Sequence, residues 1–308
     1  MRRNNHSEEI LLKLNKIIPP ARLLLNEPLS KHTTFKIGGP ADYLVFPATL
    51  EEISSIMLIA KEFEIPVTIL GNGSNILVLD KGIKGLVLKF GSEMSNIRNE
   101  GSTIIAGAGA MLADVSSYAA SCGLGGMEFA IGIPGSIGGA VFMNAGAYSG
   151  EMCQVVTGVS GVCADGTIRH YTSSELAFGY RHSIFQDNGC IICEVELKLH
   201  VQEKPMIVQK MDDYTVKRET KQPLEMPSAG STFKRPSGYF AGTLIEQAGL
   251  KGFQVGGAQV SMKHAGFVIN AGGATAEDVL LLIEEVQRRV YEHSGVMLHP
   301  EVRILGEE

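Results

Sequence analysis

Between Ile133 and Ala147 the chain reads IPGSIGGAVFMNAGA, a stretch in which residues with almost no side chain sit among strongly apolar neighbours. Such a segment is too apolar to drift as a solvated loop and too poor in side-chain volume to build a core alone. Its backbone must therefore lie close against something. That partner is either a large flat or charged ligand or a second backbone segment at a domain seam, and the residues alone leave both open. A sparser turn, Gly71-Asn72-Gly73-Ser74-Asn75, follows one expected strand and precedes another. Its N–H groups, with the Ser74 and Asn75 side chains, can converge on an anion. An ordinary turn has the same composition.

A dinucleotide fold of the Rossmann kind is a competing reading. Gly107-Ala108-Gly109 follows an expected strand and precedes an expected helix, and Glu128 lies about 20 residues on, where an acidic ribose ligand would stand. The third glycine is missing, however, since position 112 is leucine, and the surroundings are short strands and hairpins rather than βαβ units. No GxxxxGK[ST] phosphate loop occurs either.

Composition narrows the class. At 308 residues and 44% hydrophobic, the chain is expected to build about two domains with substantial cores. A net charge of −6 argues against nucleic acid as a main partner. No apolar run approaches the ~18 residues that span a bilayer, and the N-terminal MRRNNHSEEILLKLNKIIPP lacks a signal peptide's apolar core. Membrane insertion is not expected, and a cytoplasmic protein is. The five cysteines, an odd number, make a disulfide framework improbable. Cys190 and Cys193 form a CxxC within an expected strand, where residues three apart face opposite ways, so buried strand thiols fit better than a metal or redox pair. His182, His264 and His299 are too dispersed to suggest a metal.

Along the chain, Ser7 caps an expected amphipathic helix that ends at Pro19-Pro20. Ala41–Phe46 reads as a strand, and Thr49-x-x-Glu52 opens a helix to about Glu64. Strands are expected over Val67–Leu70, Leu86–Phe90 and Thr103–Ala106, then a helix over Met111–Ser121 ending at Gly123. Asp165-Gly166 marks a hairpin, and Glu194–His200 alternates as a strand. From 204 the composition turns charged and helical to Pro223, with helices near 240–249 and 275–293 and a strand at Ala265–Ile269 between them. The expected division is an N-terminal helical segment (1–32), a β-rich pair of lobes (33–202) and a smaller α+β domain (203–308).

Five segments in order, GNGSN at 71–75, IPGSIGGAVFMNAGAY at 133–148, GYRHSIF at 179–185, AGSTFKRP at 229–236 and LHPEVRILG at 298–306, resemble the UDP-N-acetylenolpyruvoylglucosamine reductase family. The family makes a bacterial cell-wall (peptidoglycan) precursor, and the resemblance runs from about Thr33 onward. It implies an α+β protein with an FAD-binding fold of the vanillyl-alcohol-oxidase (PCMH) type in two subdomains, plus a smaller α+β substrate domain. It implies non-covalent FAD, NADPH as co-substrate, and UDP-N-acetylglucosamine enolpyruvate reduced to UDP-N-acetylmuramate.

The resemblance assigns cofactor contacts to Gly71, Asn72, Gly73, Ser74 and Asn75, and to Gly109. It also assigns them to Pro134, Gly135, Ser136, Gly138, Gly139 and Ala140, to Asn144, Ala145 and Gly146, and to Arg218. It assigns substrate contacts to Tyr148, Tyr180 and Lys234. One branch of the family inserts a tyrosine-bearing loop after the GYR motif; this chain has only SIFQDNGC between Arg181 and Ile191 and resembles the shorter branch.

Hydride addition to the alkene leaves carbanion character delocalised into the adjacent carboxylate, and that charge must be stabilised and then protonated. The resemblance implies Ser231 as proton donor and Arg181 and Glu301 as the stabilising groups. Glu301 serves there only in its protonated form, whereas Arg181 is charged throughout and suits a planar carboxylate. Taken singly, each residue has a plain alternative: Ser231 as a turn cap, Arg181 as a surface charge, Glu301 as a partner of Arg303. An oxidase of the same superfamily with tethered flavin and a non-catalytic nucleotide-sugar binder are the rival functions.

Overall fold

The computed structural model describes residues 2–307, with side chains from Ser7 onward. Its contacts divide the chain into two units that interleave in sequence: Met1–Leu25, Tyr43–Asn72 and Gly85–Val216 form the first, and Asn26–Asp42, Gly73–Lys84 and Lys217–Glu308 the second. The division differs from the expected cut near 202. It falls inside the helix α5 (Lys204–Lys221), and two short early segments join the C-terminal unit.

In the first unit, helix α1 (Arg2–Ile17) begins ahead of Ser7, so Ser7 lies within it and does not cap it. Helix α2 (Leu50–Glu62) begins where expected, with the Thr49 hydroxyl accepting the Glu52 N–H at 3.2 Å. The Glu52 carboxylate turns to the Arg22 guanidinium (2.7 and 2.8 Å) and the Ala48 N–H. That bidentate pair holds Glu52 below the usual carboxylate range. Val67–Leu70 pairs in parallel with Ile83–Lys89 (Val67↔Leu86).

A five-stranded antiparallel sheet follows, in the order Ile168–Thr172, Val156–Val162, Ile191–Lys198, Thr103–Gly107, Ile97–Glu100. Its centre is apolar and largely β-branched, as two-sided burial requires: Ile104, Val159, Val195 and Leu197 are fully enclosed. The Asp165-Gly166 hairpin forms as read, with Gly166 at φ 83. Helix α3 (Leu112–Ser121) ends at Cys122, followed by left-handed Gly123.

The cysteines depart from expectation. Cys163, just after Val156–Val162, forms a disulfide with Cys190, just before Ile191–Lys198. The pairing joins neighbouring strands across a loop, which spacing within the CxxC could not reveal. Cys193 is a free thiol inside the sheet, and burial pushes it up to about 12.

In the second unit, an antiparallel sheet runs Ser228–Ser231, Phe267–Asn270, Ala258–Val260, Gln254–Val255. The expected strand at 265–269 starts later because the Phe267 N–H closes a turn on the His264 carbonyl. Helices α6 (Ala241–Gln247) and α7 (Ala276–Ser294) complete the unit. Val279, Leu282, Ile283, Val286 and Val290 give α7 one buried apolar stripe, and each such side chain stabilises by about 1.5–3 kcal/mol. Thr275 and Asp278 form a capping box, the Asp80 carboxylate accepts the Ala276 and Glu277 N–H groups (3.0 and 3.2 Å), and left-handed Gly295 ends the helix. Arg303–Leu305 adds in parallel to Ile76–Val78.

Candidate active site

The glycine segment folds as a loop and the short helix α4 (Ile137–Phe142), capped by the Ser136 hydroxyl. Its glycines divide by what surrounds them. A Cβ on Gly138 would lie 2.8 Å from the Ala108 side chain and 3.0 Å from its carbonyl, and one on Gly109 would lie 2.5 Å from the Gly91 carbonyl. Their N–H groups are spent as well: Gly138 donates to Ala108 and Gly109 to Met94, while Ile137 donates to Ala110. These two are seam glycines, needed so that backbones can pack. Gly139 is different. A Cβ there would meet only the Ser136 hydroxyl, at an ordinary 3.5 Å, so nothing within the first unit requires glycine at that position.

The first-unit part of the other turn comes against this loop. The Asn72 amide donates to the Pro134 carbonyl (2.6 Å), and a Cβ on Gly71 would press to 2.5 Å from the Ser136 hydroxyl. Lys89 fixes Gly71 from behind, donating to its carbonyl at 3.0 Å, and burial lowers the Lys89 ammonium. Gly135 closes a tight turn on Ile133. The chain leaves the first unit between Asn72 and Gly73, so Gly73, Ser74 and Asn75 belong to the second. There the left-handed Gly73 backs onto His32 and Thr33, and its carbonyl accepts the Thr34 N–H.

After α4, Ala145 folds back on Ala140, and Gly146–Ala147 pairs with Gly150–Glu151. The two residues between, Tyr148 (φ 52) and Ser149 (φ 69), are both left-handed, the pattern of a type I′ hairpin that normally carries Asn-Gly. The Tyr148 ring stacks on Tyr214 of α5 at 4.3 Å, and its hydroxyl donates to the Tyr214 carbonyl. Glu128, the acid weighed as a ribose ligand, is buried instead, accepting the Gly126 N–H with Lys210 at 3.6 Å. Ala140 and Asn144 are buried too, Asn144 being 3% exposed.

Arg181 sits on a two-residue turn. Gly179 and His182 exchange both backbone hydrogen bonds (3.1 and 3.2 Å), and Tyr180 and Arg181 form the tip. Arg181 has φ 54 at the second tip position, where a type II turn calls for glycine or asparagine. A left-handed conformation costs a side-chain-bearing residue about 1–2 kcal/mol. Its guanidinium lies over the exposed Tyr180 ring, 5.1 Å from the centroid.

The second unit carries the other expected site residues. Residues 232–234 run antiparallel to 299–301: the Glu301 N–H donates to the Thr232 carbonyl (2.8 Å), the Lys234 N–H to the His299 carbonyl (2.8 Å), and Phe233 bridges Pro300. Ser231, exposed at the end of its strand after left-handed Gly230, is thereby one residue from the chain that carries Glu301. Asn75 joins them, its amide donating to the Glu301 carbonyl (3.3 Å) and its carbonyl accepting the Arg303 N–H. Lys234 is exposed beside this pair, and Arg218 is half-buried near the end of α5. Arg181 belongs to the first unit and Ser231, Lys234 and Glu301 to the second. Sequence reading did not single out Lys89, which fixes Gly71, or Tyr214, which stacks on Tyr148; a lysine ending a buried strand was a faint signal for the first, and the second had none.

The chain matches the model of an FAD binding domain over residues 41–172. The 4-ethylphenol oxidase from Gulosibacter chungangensis superposes with a TM-score of 0.50 at 14% identity, covering 64% of this chain and 43% of that one, a likeness of fold alone. The class is thus an α+β protein with an FAD-binding domain. Residues 222–305 match the UDP-N-acetylenolpyruvoylglucosamine reductase C-terminal domain. The UDP-N-acetylenolpyruvoylglucosamine reductase of Alkaliphilus oremlandii is 50% identical over 96% of this chain and 97% of its own length. The crystal structure of the reductase from Thermus caldophilus has a TM-score of 0.78 at 39% identity, covering 92% and 97% of the two chains. The chain belongs to the UDP-N-acetylenolpyruvoylglucosamine reductase family. Among the described residues, no helix is long and apolar enough to cross a membrane.

Proposed function

We propose that Arg181, Ser231 and Glu301 are the groups with which this chain performs the family reaction, reduction of UDP-N-acetylglucosamine enolpyruvate to UDP-N-acetylmuramate for peptidoglycan synthesis. The observation that carries the reading is the adjacency of Ser231 and Glu301 on paired segments of the second unit, with Lys234 and Asn75 beside them. The residues present fit FAD: a bare glycine face at Gly139, with Gly71 and Asn72 drawn onto Pro134 and Ser136, leaves main chain open to a bulky diphosphate. Those residues would hold the cofactor non-covalently, and Arg218 is a candidate for its charge. Bound FAD supplies the hydride, taken from NADPH, that the substrate's terminal alkene carbon receives.

The protein's own groups handle the rest. Arg181 pairs with the substrate carboxylate, both orienting it and offsetting the charge that builds there as the alkene is reduced. Glu301 is the second group placed to stabilise the same developing enolate. Ser231 gives its hydroxyl proton to the adjacent carbon, which is basic enough at that moment to take it, and solvent restores the proton. Lys234 meets the substrate diphosphate, and Tyr148 and Tyr180 pack on the substrate. The cytoplasm, where NADPH is the reductant at hand, is the compartment this reading assigns.

The purified protein is expected to be yellow, to bleach with NADPH and to recover its colour when the enolpyruvyl substrate is added. A colourless protein that cannot be reconstituted with FAD would refute the assignment. Ser231→Ala is expected to leave bleaching nearly intact and to block recovery; equal loss of both halves would remove Ser231 from the proton-donor role.

A further inference from the structure

The Arg181 turn does not hold itself. Two backbone hydrogen bonds close it, and its tip residue adopts a conformation that an arginine adopts only under constraint. The constraint comes from the few residues that follow the glycine helix. Asn144, almost fully enclosed, donates one amide hydrogen to the Gly179 carbonyl at the base of the turn (3.0 Å) and the other to the Glu151 carboxylate (3.2 Å). Its own carbonyl oxygen accepts the Cys153 N–H (2.9 Å). On the far side, the Gln186 amide donates to the Arg181 carbonyl (2.9 Å) and to the Phe142 carbonyl (2.8 Å). Ser183 adds a third tie, donating to the same Phe142 oxygen (2.9 Å).

Both amide donors of Asn144 are therefore spent inside the protein, which redirects the cofactor-contact role the sequence suggested for it. Asn144 is itself left-handed (φ 41), a conformation asparagine tolerates better than most residues. That bend aims its amide away from α4 and towards the turn. Three hydrogen bonds from Asn144, Ser183 and Gln186 thus join the segment Phe142–Asn144 to both ends of a four-residue turn, and Gln186 reaches the peptide of Arg181 itself.

We infer that Asn144 and Gln186 are positioning residues for Arg181, fixing its guanidinium relative to the glycine helix through the Gly179 and Arg181 carbonyls. The inference rests on the reading of Arg181 as the carboxylate partner. A shift of about 1 Å in such a group costs about a hundredfold in rate, so a turn held at both ends is what the chemistry needs.

The test is a double-mutant cycle on the flavin-loaded enzyme. Asn144→Gly keeps the left-handed backbone cheap while deleting every side-chain bond, and Gln186→Met keeps side-chain length while deleting the donor. Each is made in the native enzyme and in Arg181→Ala, and stopped-flow absorbance follows bleaching by NADPH and recolouring by substrate separately. The expected result is a 10- to 100-fold slower recolouring in each single variant, bleaching and FAD affinity within about threefold of native, and less than a twofold further effect in the Arg181→Ala background. An equal slowing with and without Arg181, or loss of FAD, would overturn the positioning role and leave a structural one. Arg181→Ala recolouring at the native rate would instead sink the reading of Arg181. If Asn144→Gly does not accumulate as folded protein, Gln186→Met carries the cycle alone.

Discussion

Replacing Gly139 by alanine separates what the fold requires from what a ligand requires. Gly139 lies in the first turn of α4 with an ordinary helical backbone, so alanine gains helix propensity, about 0.5–1 kcal/mol. The added methyl group meets only the Ser136 hydroxyl at 3.5 Å, which is contact without overlap. The apoenzyme should therefore melt about 1–4 °C higher. If the cofactor's diphosphate lies against this face, the same methyl group overpacks the complex by about 1–3 kcal/mol, and FAD affinity falls about 5- to 150-fold. Gly138→Ala is the internal control: it gains the same propensity but drives a Cβ to 2.8 Å from the Ala108 side chain. Overpacking then wins, and the apoenzyme loses about 1 kcal/mol. Circular dichroism follows melting of the apoenzyme, and quenching of flavin fluorescence reads affinity without interference from tryptophan, which the chain lacks. A Gly139→Ala protein that is stabilised yet binds FAD as tightly as the native one would refute the placement of the cofactor against α4.

Further outcomes follow from strain and ionisation. Arg181→Gly relieves a left-handed side chain (about 1–2 kcal/mol) against the added flexibility of glycine (about 0.5–1 kcal/mol). Its melting temperature should therefore hold or rise while recolouring by substrate falls about 10²–10³-fold; a marked loss of stability would refute the strain argument. By the same arithmetic Ser149→Gly should stabilise the Tyr148 hairpin by about 0.5–1 kcal/mol, read by thermal unfolding. Cys193 is raised by burial to about 12 from 9.0, so the folded thiol stays protonated. Its contribution is complete below pH 9 and lost as pH climbs from there towards 12. Native Cys193 should resist thiol reagents at pH 8, and Cys193→Ala should flatten the alkaline fall in melting temperature. Asp278 is held below the usual carboxylate range by the Gly257 and Thr275 N–H groups. Its contribution is present above the unfolded value near ~4 and lost as pH falls through the lower folded one. Asp278→Asn should weaken that acid limb; an unchanged acid midpoint would remove Asp278 from it.

Local structure was legible in the sequence wherever one short-range rule decided it. Thr49 caps α2, Asp165-Gly166 turns a hairpin, and Gly123 follows α3 because each choice depends on neighbours a few residues away. Ser7 misled because a serine followed by two glutamates looks like a helix start even when helix extends before it. The Cys163–Cys190 bond and the interleaving of 26–42 and 73–84 with the C-terminal unit are long-range pairings, and one chain's spacing carries no record of them. The site was legible as an ordered set of motifs but not as a division of labour. Gly109, Gly138 and Gly139 look alike in sequence, yet two serve the packing of backbones and the third is free of that duty.

Where the chain departs from cheap backbone geometry adds to this. Of the eight non-glycine residues with positive φ among the described residues, five fall between Asn144 and Arg181: Asn144, Tyr148, Ser149, Ala177 and Arg181. Only one is an asparagine, the residue that bears this conformation most easily; the tip positions carry tyrosine, serine and arginine, which bear it poorly. Packing alone would favour Asn-Gly in the first turn and glycine in the second. A fold keeps the costlier residue where that side chain has work that glycine cannot do. Arg181 brings a charge and Tyr148 an aromatic face; the Tyr148 hairpin follows the glycine helix, and the Arg181 turn is tied to the same segment by Asn144, Ser183 and Gln186. On the proposed reading, the strain in the first unit is thus concentrated in turns tied to the segment after the glycine helix, where Tyr148 and Arg181 would meet the substrate.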